Sequence, residues 1–193
     1  MPASIFTHPT YTVRRQIFKL LGAAFHIYDP NGNLAFYSKQ KAFKLKEDIR
    51  VYTGEDMQNE VLTIKARNII DFSSAYDVFD PATQTKVGVL KRKGMKSILK
   101  DEWIIMDANE NQIGLIQEDS MMLALIRRFL SNLVPQSFDG TINGQKVCHF
   151  KQNFNPFVTK ITLDFSMDIN NLLDRRLGIA AAVLLCAIEG KQD

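Results

Sequence analysis

Two runs of basic residues are the groups in this chain best placed to meet a charged ligand. Lys39, Lys41, Lys44 and Lys46 precede Glu47, and Lys86, Lys91, Arg92, Lys93, Lys96 and Lys100 fall in a stretch without an acidic residue. On a strand, residues two apart share a face, so Lys44 and Lys46 point the same way, as do Lys91 and Lys93. Cations grouped on one face attract anionic headgroups, each contributing about 1 kcal/mol beside a charged membrane. Lys39, Lys41, Lys44, Lys46, Lys91, Arg92, Lys93 and Lys96 are therefore the candidate ligand-binding residues, to be weighed against a plain solvated strand surface. The whole chain is close to balanced: 24 Lys and Arg against 21 Asp and Glu give a formal charge of +3. That balance, with no recognition motif beside it, gives no reason to expect nucleic acid.

The groups that could carry catalysis lack the spacing for it. His8, His26 and His149 form no HExxH or other metal-ligand pattern. His149 follows Cys148, but neighbours on a strand point to opposite faces, so a Cys–His pair would need distant partners. The same geometry turns Asp101 from Glu102 and Glu118 from Asp119. No Gly-x-Ser-x-Gly, phosphate-loop or dinucleotide glycine pattern occurs. Asp29, Asn31 and Asn33 alternate like the start of a calcium loop. Pro30 and Gly32 make a hairpin turn the simpler reading, and the distal Glu and flanking helices of such a loop are missing. No metal or cofactor is expected, and the chain reads as a non-enzymatic binding or scaffold domain. The alternatives are a hydrolase whose groups converge in a cleft and a domain that binds only proteins.

The elements that must position these residues show themselves by repetition. Phe25-His26-Ile27-Tyr28-Asp29 returns as Ile49-Arg50-Val51-Tyr52-Thr53, Tyr76-Asp77-Val78-Phe79-Asp80 and Trp103-Ile104-Ile105-Met106-Asp107. A polar turn and a second apolar run follow each copy, beginning at Leu34, Val61, Val87 and Ile113, so each unit is a strand, a turn and a strand. Asn31-Gly32 and Asn143-Gly144 are tight-turn signals, because both residue types tolerate positive φ. Strands are expected near residues 138–142, 146–152 and 159–167. The run from Trp103 to Met106 is apolar on both faces, which predicts cover on both sides.

Two segments break the pattern. Residues 120–133 carry a helical period of apolar residues, with Ser120 as cap and Pro135 as stop. Residues 168–188 suit a longer helix, and from 177 to 188 every residue is apolar or Gly. Twelve such residues rise about 18 Å, short of the roughly 30 Å hydrocarbon layer of a bilayer. A helix apolar all round but too short to span lipid must be enclosed by protein. A closed antiparallel sheet of many hairpins would enclose it. The 13 Phe and a 46% hydrophobic content supply such a core. Residues 1–10, with two prolines, read as a flexible arm before a single domain over 11–193. Cys148 and Cys186 form no disulfide framework, and Cys186 reads as a core residue. Arg14, Arg15 and Lys19 interrupt the first apolar residues as no signal peptide does, so a cytoplasmic location is expected.

Several of these segments resemble the LURP-one-related family: Tyr28 to Asn33, Lys41 to Tyr52, Ile69 to Ser73, Lys93 to Ser97, and Asp101-Glu102-Trp103. The resemblance spans about residues 11–188. It implies the tubby C-terminal-like fold, a roughly twelve-stranded closed antiparallel sheet around a central buried C-terminal helix, shared with tubby domains and phospholipid scramblases. Tubby domains bind phosphoinositide headgroups, which makes an anionic lipid or phosphoinositide surface an implied partner, met peripherally; a protein partner is the other. The short apolar run, matched to the core helix, implies no transmembrane segment and speaks against scramblase activity.

Overall fold

The computed structural model describes residues 5–18, 22–40, 48–67, 75–93, 102–119, 136–153 and 158–188. The helix expected over 120–133 lies outside the described residues. Among the described residues twelve strands precede one helix: β1 (Thr10–Phe18), β2 (Gly22–Tyr28), β3 (Leu34–Gln40), β4 (Ile49–Tyr52), β5 (Glu60–Ala66), β6 (Ala75–Asp80), β7 (Thr85–Arg92), β8 (Glu102–Met106), β9 (Gln112–Glu118), β10 (Ser137–Ile142), β11 (Gln145–Gln152), β12 (Lys160–Asp164) and α1 (Arg175–Ile188). Each strand pairs antiparallel with the one before it, and β1 pairs with β12 to close the barrel.

The repeated units are the hairpins β2–β3, β4–β5, β6–β7 and β8–β9. Their likeness extends to an irregularity. In each, the register shifts between the third and fourth residues of the motif: Ile27/Tyr28, Val51/Tyr52, Val78/Phe79 and Ile105/Met106. Hairpin β10–β11 does the same between Gly140 and Thr141. Phe138-Asp139-Gly140-Thr141 is thus a fifth copy, masked in sequence by its Gly. The residue left without a partner opposite each shift is Ala35, Val61, Val87, Ile113 or Val147, and each packs against the core. A bulge bends its strand and sharpens the local twist, and five at one level curl the sheet toward closure. They also explain why alternation breaks in the second strand of each unit, at Ala35-Phe36, Val61-Leu62, Val87-Gly88, Ile113-Gly114 and Val147-Cys148.

Inside the barrel, α1 is buried from Leu177 to Ala187. Close approach is built from small residues. A Cβ on Gly178 would meet the Phe165 ring at 2.4 Å, and one on Gly88 would meet the Met106 carbonyl at 2.4 Å and Leu177 at 3.0 Å. The helix starts at Arg175, not at Asp168. The buried Asp168 carboxylate accepts bonds from the Leu172 and Leu173 amides at 2.8 and 3.1 Å, which folds the segment before the helix into a loop, a competition typical of Asp. Asp174 then caps the helix, its carboxylate taking the Arg176 amide at 2.9 Å. Trp103 and Ile105 face the core, while Ile104 and Met106 are half-exposed on the outer side. The cover expected on both faces of β8 is thus complete only on the inner one. Before β1, Phe6 is buried on the Phe36 ring at 4.9 Å, and the Pro9 carbonyl accepts the Phe165 amide at 2.8 Å.

Antiparallel order gives the barrel two unlike ends. One, the turn end, holds the five connections within the hairpins and the N-terminus of α1. At the other, the rim, β1, β3, β5, β7, β9 and β11 finish and α1 ends.

Candidate functional site

Lys39 near the end of β3 and Lys91 near the end of β7 both lie on the rim half of the barrel. Both are exposed on its outer face and neither makes an ion pair among the described residues. Lys93 also faces outward but is paired with Glu102 across β7 and β8. Arg92 is half-buried and lies opposite Trp103 in the ladder, on the side of the strand that faces the interior. Lys41, Lys44, Lys46 and Lys96 fall outside the described residues; the strands that flank them end and begin at the rim. Lys86 belongs elsewhere. It sits toward the turn end, 3.0 Å from Asp77 and 2.7 Å from Glu110, beside Arg67, which binds the same two carboxylates.

Closure of the sheet brings further cations to the rim half that the basic runs in the sequence do not include. Arg14 on β1 stands opposite Lys160 on β12. Lys151 is exposed at the end of β11. None of the three makes a side-chain ion pair among the described residues. They escape a search for basic runs because each stands alone in the sequence, although strand alternation alone would have turned them outward.

The turn end is opposite in character. Asp29, Glu55, Asp56, Asp80, Asp107, Glu110, Asp168 and Asp174 gather there. The described cations at that end, Lys86, Lys146, Arg175 and Arg176, are all ion-paired. The polarity matches α1. Carboxylates surround its positive N-terminus, and at its C-terminus buried Arg15 reaches the Cys186 carbonyl at 3.5 Å. Arg176 ties the helix start to the barrel wall through Asp80 at 2.8 Å and to its own cap, Asp174, at 2.6 Å.

The turn carboxylates are committed to structure. Asp29 accepts the Asn31 and Asn33 amides at 2.9 and 2.8 Å and the Asn33 side chain at 3.1 Å. Asp107 repeats the arrangement with Asn109 and Asn111. Both oxygens of each carboxylate are thus taken up by the turn, as expected for a hairpin and not for a calcium loop. Glu110 is held at about 2, against an ordinary 4.5, chiefly by its bonds to Arg67 and then Lys86. Asp77 is likewise held low, first by Arg67. A carboxylate whose pKa is depressed by folding stabilises the fold above its unfolded pKa and loses that contribution as pH falls through the folded one. The melting temperature should therefore fall steadily between pH 4.5 and pH 2, and Glu110→Gln should flatten part of that fall. Melts that superimpose for the two proteins across this window would show that the network contributes nothing.

The catalytic candidates stay apart. His149 bonds Asp139 at 2.6 Å, and Lys146 bonds the same carboxylate at 2.6 Å. Among the described residues no hydroxyl or thiol bonds to His149. Cys148 points into the core, its thiol pushed up to about 12 by burial, as is that of Cys186. Neither is a thiolate at neutral pH. His26 bonds Glu55 at 3.0 Å on the outer face. Glu118 is buried while Asp119 is exposed. No cluster of three metal-ligating side chains occurs among the described residues, and no described helix is long and apolar enough to cross a membrane.

A family model described as LURP-one-related matches residues 9–186. The X-ray structure of a protein from Arabidopsis thaliana is similar over 96% of this chain and 94% of that one, with a TM-score of 0.52 at 14% identity; likeness at that identity speaks for fold. A search of curated proteins returns no significant match.

Proposed function

We propose that this chain, which belongs to the LURP-one-related family and has its tubby C-terminal-like barrel, is a non-enzymatic binding domain that meets anionic lipid headgroups peripherally through the cations of its rim. One observation carries the reading. Among the described residues, exposed Arg14, Lys39, Lys65, Lys91 and Lys151 and half-buried Lys160 make no ion pair and lie toward the rim, whereas the cations of the turn end are neutralised by carboxylates. Pairing within the molecule would remove their attraction for a ligand; here it is left available. An anionic cytoplasmic leaflet supplies the matching charge.

Co-sedimentation with neutral, anionic and phosphoinositide-containing liposomes at two salt concentrations tests this. Binding should appear on the anionic membranes and weaken with salt. Lys39→Ser with Lys91→Ser should weaken it by roughly tenfold or more, at about 1 kcal/mol per cation. The melting temperature should hold, because neither side chain makes an ion pair among the described residues. Arg92 is left intact in this variant, since its half-buried side chain would confound binding with stability. Absence of pelleting on anionic liposomes at low salt would remove the lipid reading and leave a protein partner.

A further inference from the structure

β1 runs toward the rim and ends in two exposed apolar residues. Ile17 is 62% exposed and Phe18 37%. Their exposure follows from their place in the barrel. Arg15, two residues earlier, already reaches the last turn of α1 through the Cys186 carbonyl. Ile17 lies on the same side of the strand about 7 Å further on, past the level at which the described helix can cover it. Phe18 lies on the outer face, in line with Arg14 and Gln16. The ladder places cations around this pair. Arg14 is level with Lys160 on β12, and Gln16 is level with Ala24 and then Lys39 on β3. Lys39 is thus about 10 Å from Gln16 across two strand spacings. In β12, β1, β2 and β3 the only carboxylate is Asp164, at the turn end of β12.

We infer that Ile17 and Phe18 form a small apolar wedge that enters the interfacial layer of an anionic bilayer, with Arg14, Lys39 and Lys160 holding the headgroups around it, so that the rim faces the membrane and the acidic turn end faces away. The inference rests on the lipid reading above and adds depth and orientation to it. Apolar side chains entering the interface beside cations that meet the headgroups are the two terms that hold peripheral proteins to membranes. Two side chains are too little to form the core of a stable protein interface, which buries about 800 Å² per partner. They suffice for a lipid surface, where each buried apolar group contributes separately. The charge asymmetry of the barrel supplies the orientation, since the carboxylates of the turn end are repelled by the same headgroups that attract the rim.

Fluorescence with vesicles of phosphatidylcholine and phosphatidylserine, with and without brominated acyl chains, tests the inference. The natural Trp103 is 2% exposed and gives a constant background. Phe18→Trp should add an emission that shifts to the blue on vesicle addition and is quenched by bromine. Ile169→Trp, at an 84% exposed position of the turn end, should show neither change. The paired substitution Ile17→Ser with Phe18→Ser should weaken vesicle binding by roughly tenfold or more and make the remainder fully salt-sensitive, while low-salt pelleting survives. Wild-type pelleting with no quenching in the Phe18→Trp variant, or with equal quenching in the Ile169→Trp variant, overturns the wedge and leaves the headgroup reading standing. Binding unchanged by the two serines overturns it as well. If the wild type pellets with no vesicle at low salt, both readings fail together, and an acidic protein surface becomes the partner for the same cations.

Discussion

Leu184→Asp should leave no folded population at room temperature. Leu184 is 1% exposed at the middle of α1, with Val183 and Leu185 equally buried beside it. Removing its contacts alone costs about 2–5 kcal/mol. The new carboxylate would enter a lumen in which the described cations bound to α1 already serve its ends, Arg15 the last turn at Cys186 and Arg175 and Arg176 the first. An uncompensated buried charge adds several kcal/mol more. The sum matches or exceeds the roughly 5–15 kcal/mol that holds a domain together. Circular dichroism should show loss of the β signal, with no cooperative melt. A melt superimposing on that of the unmodified protein would mean that the helix does not fill the barrel.

Asp80→Ala should lower the melting temperature by about 10 °C, from a loss of about 3 kcal/mol. The Asp80 side chain is 3% exposed. One oxygen takes the Arg176 guanidinium at 2.8 Å; the other takes the Ala82 amide at 2.9 Å. Its removal leaves the half-buried Arg176 guanidinium with Asp174 as its one carboxylate partner among the described residues and unlatches the helix start from the β6–β7 turn. Asp29→Ala, which alters the equivalent residue of the first hairpin, should cost much less, because that turn is exposed and water can replace the carboxylate. Equal losses for the two variants would refute the latch. A double change of Asp80→Ala with Arg176→Leu should recover part of the loss, since the half-buried guanidinium is gone and the Asp174 carboxylate left behind is exposed enough to be solvated.

The contrast between Asp29 and Asp80 shows where sequence stops being legible. The motif puts Asp at the same place in both hairpins, and the alternation of Phe25 with Ile27 or Tyr76 with Val78 correctly reads as strand. Whether the Asp closes an exposed turn or latches a helix depends on what arrives from residues far along the chain, and no local pattern records that. The buried helix was legible because twelve consecutive apolar residues leave few alternatives. Its true start was not, because a single Asp168 carboxylate decided it. Closure of β1 on β12 could be expected from the need to enclose α1, yet its register is non-local. For the same reason the rim was only partly visible. Lys39 and Lys91 belonged to recognisable clusters, whereas Arg14, Lys151 and Lys160 became neighbours only through the closed sheet. The neutralisation of Lys93 by Glu102 and of Lys86 by Asp77 and Glu110 lay equally beyond a one-dimensional reading, because each pair joins different strands.

The order of elements along the chain has a consequence for how the protein comes into being. The ribosome makes the wall first and the filling last. Until α1 emerges, Phe25, Leu62, Val78 and Ile105 line a lumen with nothing in it, and β1 waits for β12 across nearly the whole length of the chain. A topology whose decisive contacts are this distant folds slowly and exposes apolar strands meanwhile. Local hairpins with their bulges can form early, but they have no interior to bury against. A nascent chain that stalls before Arg175 is therefore a sheet without a core, with its apolar strand faces open to solvent.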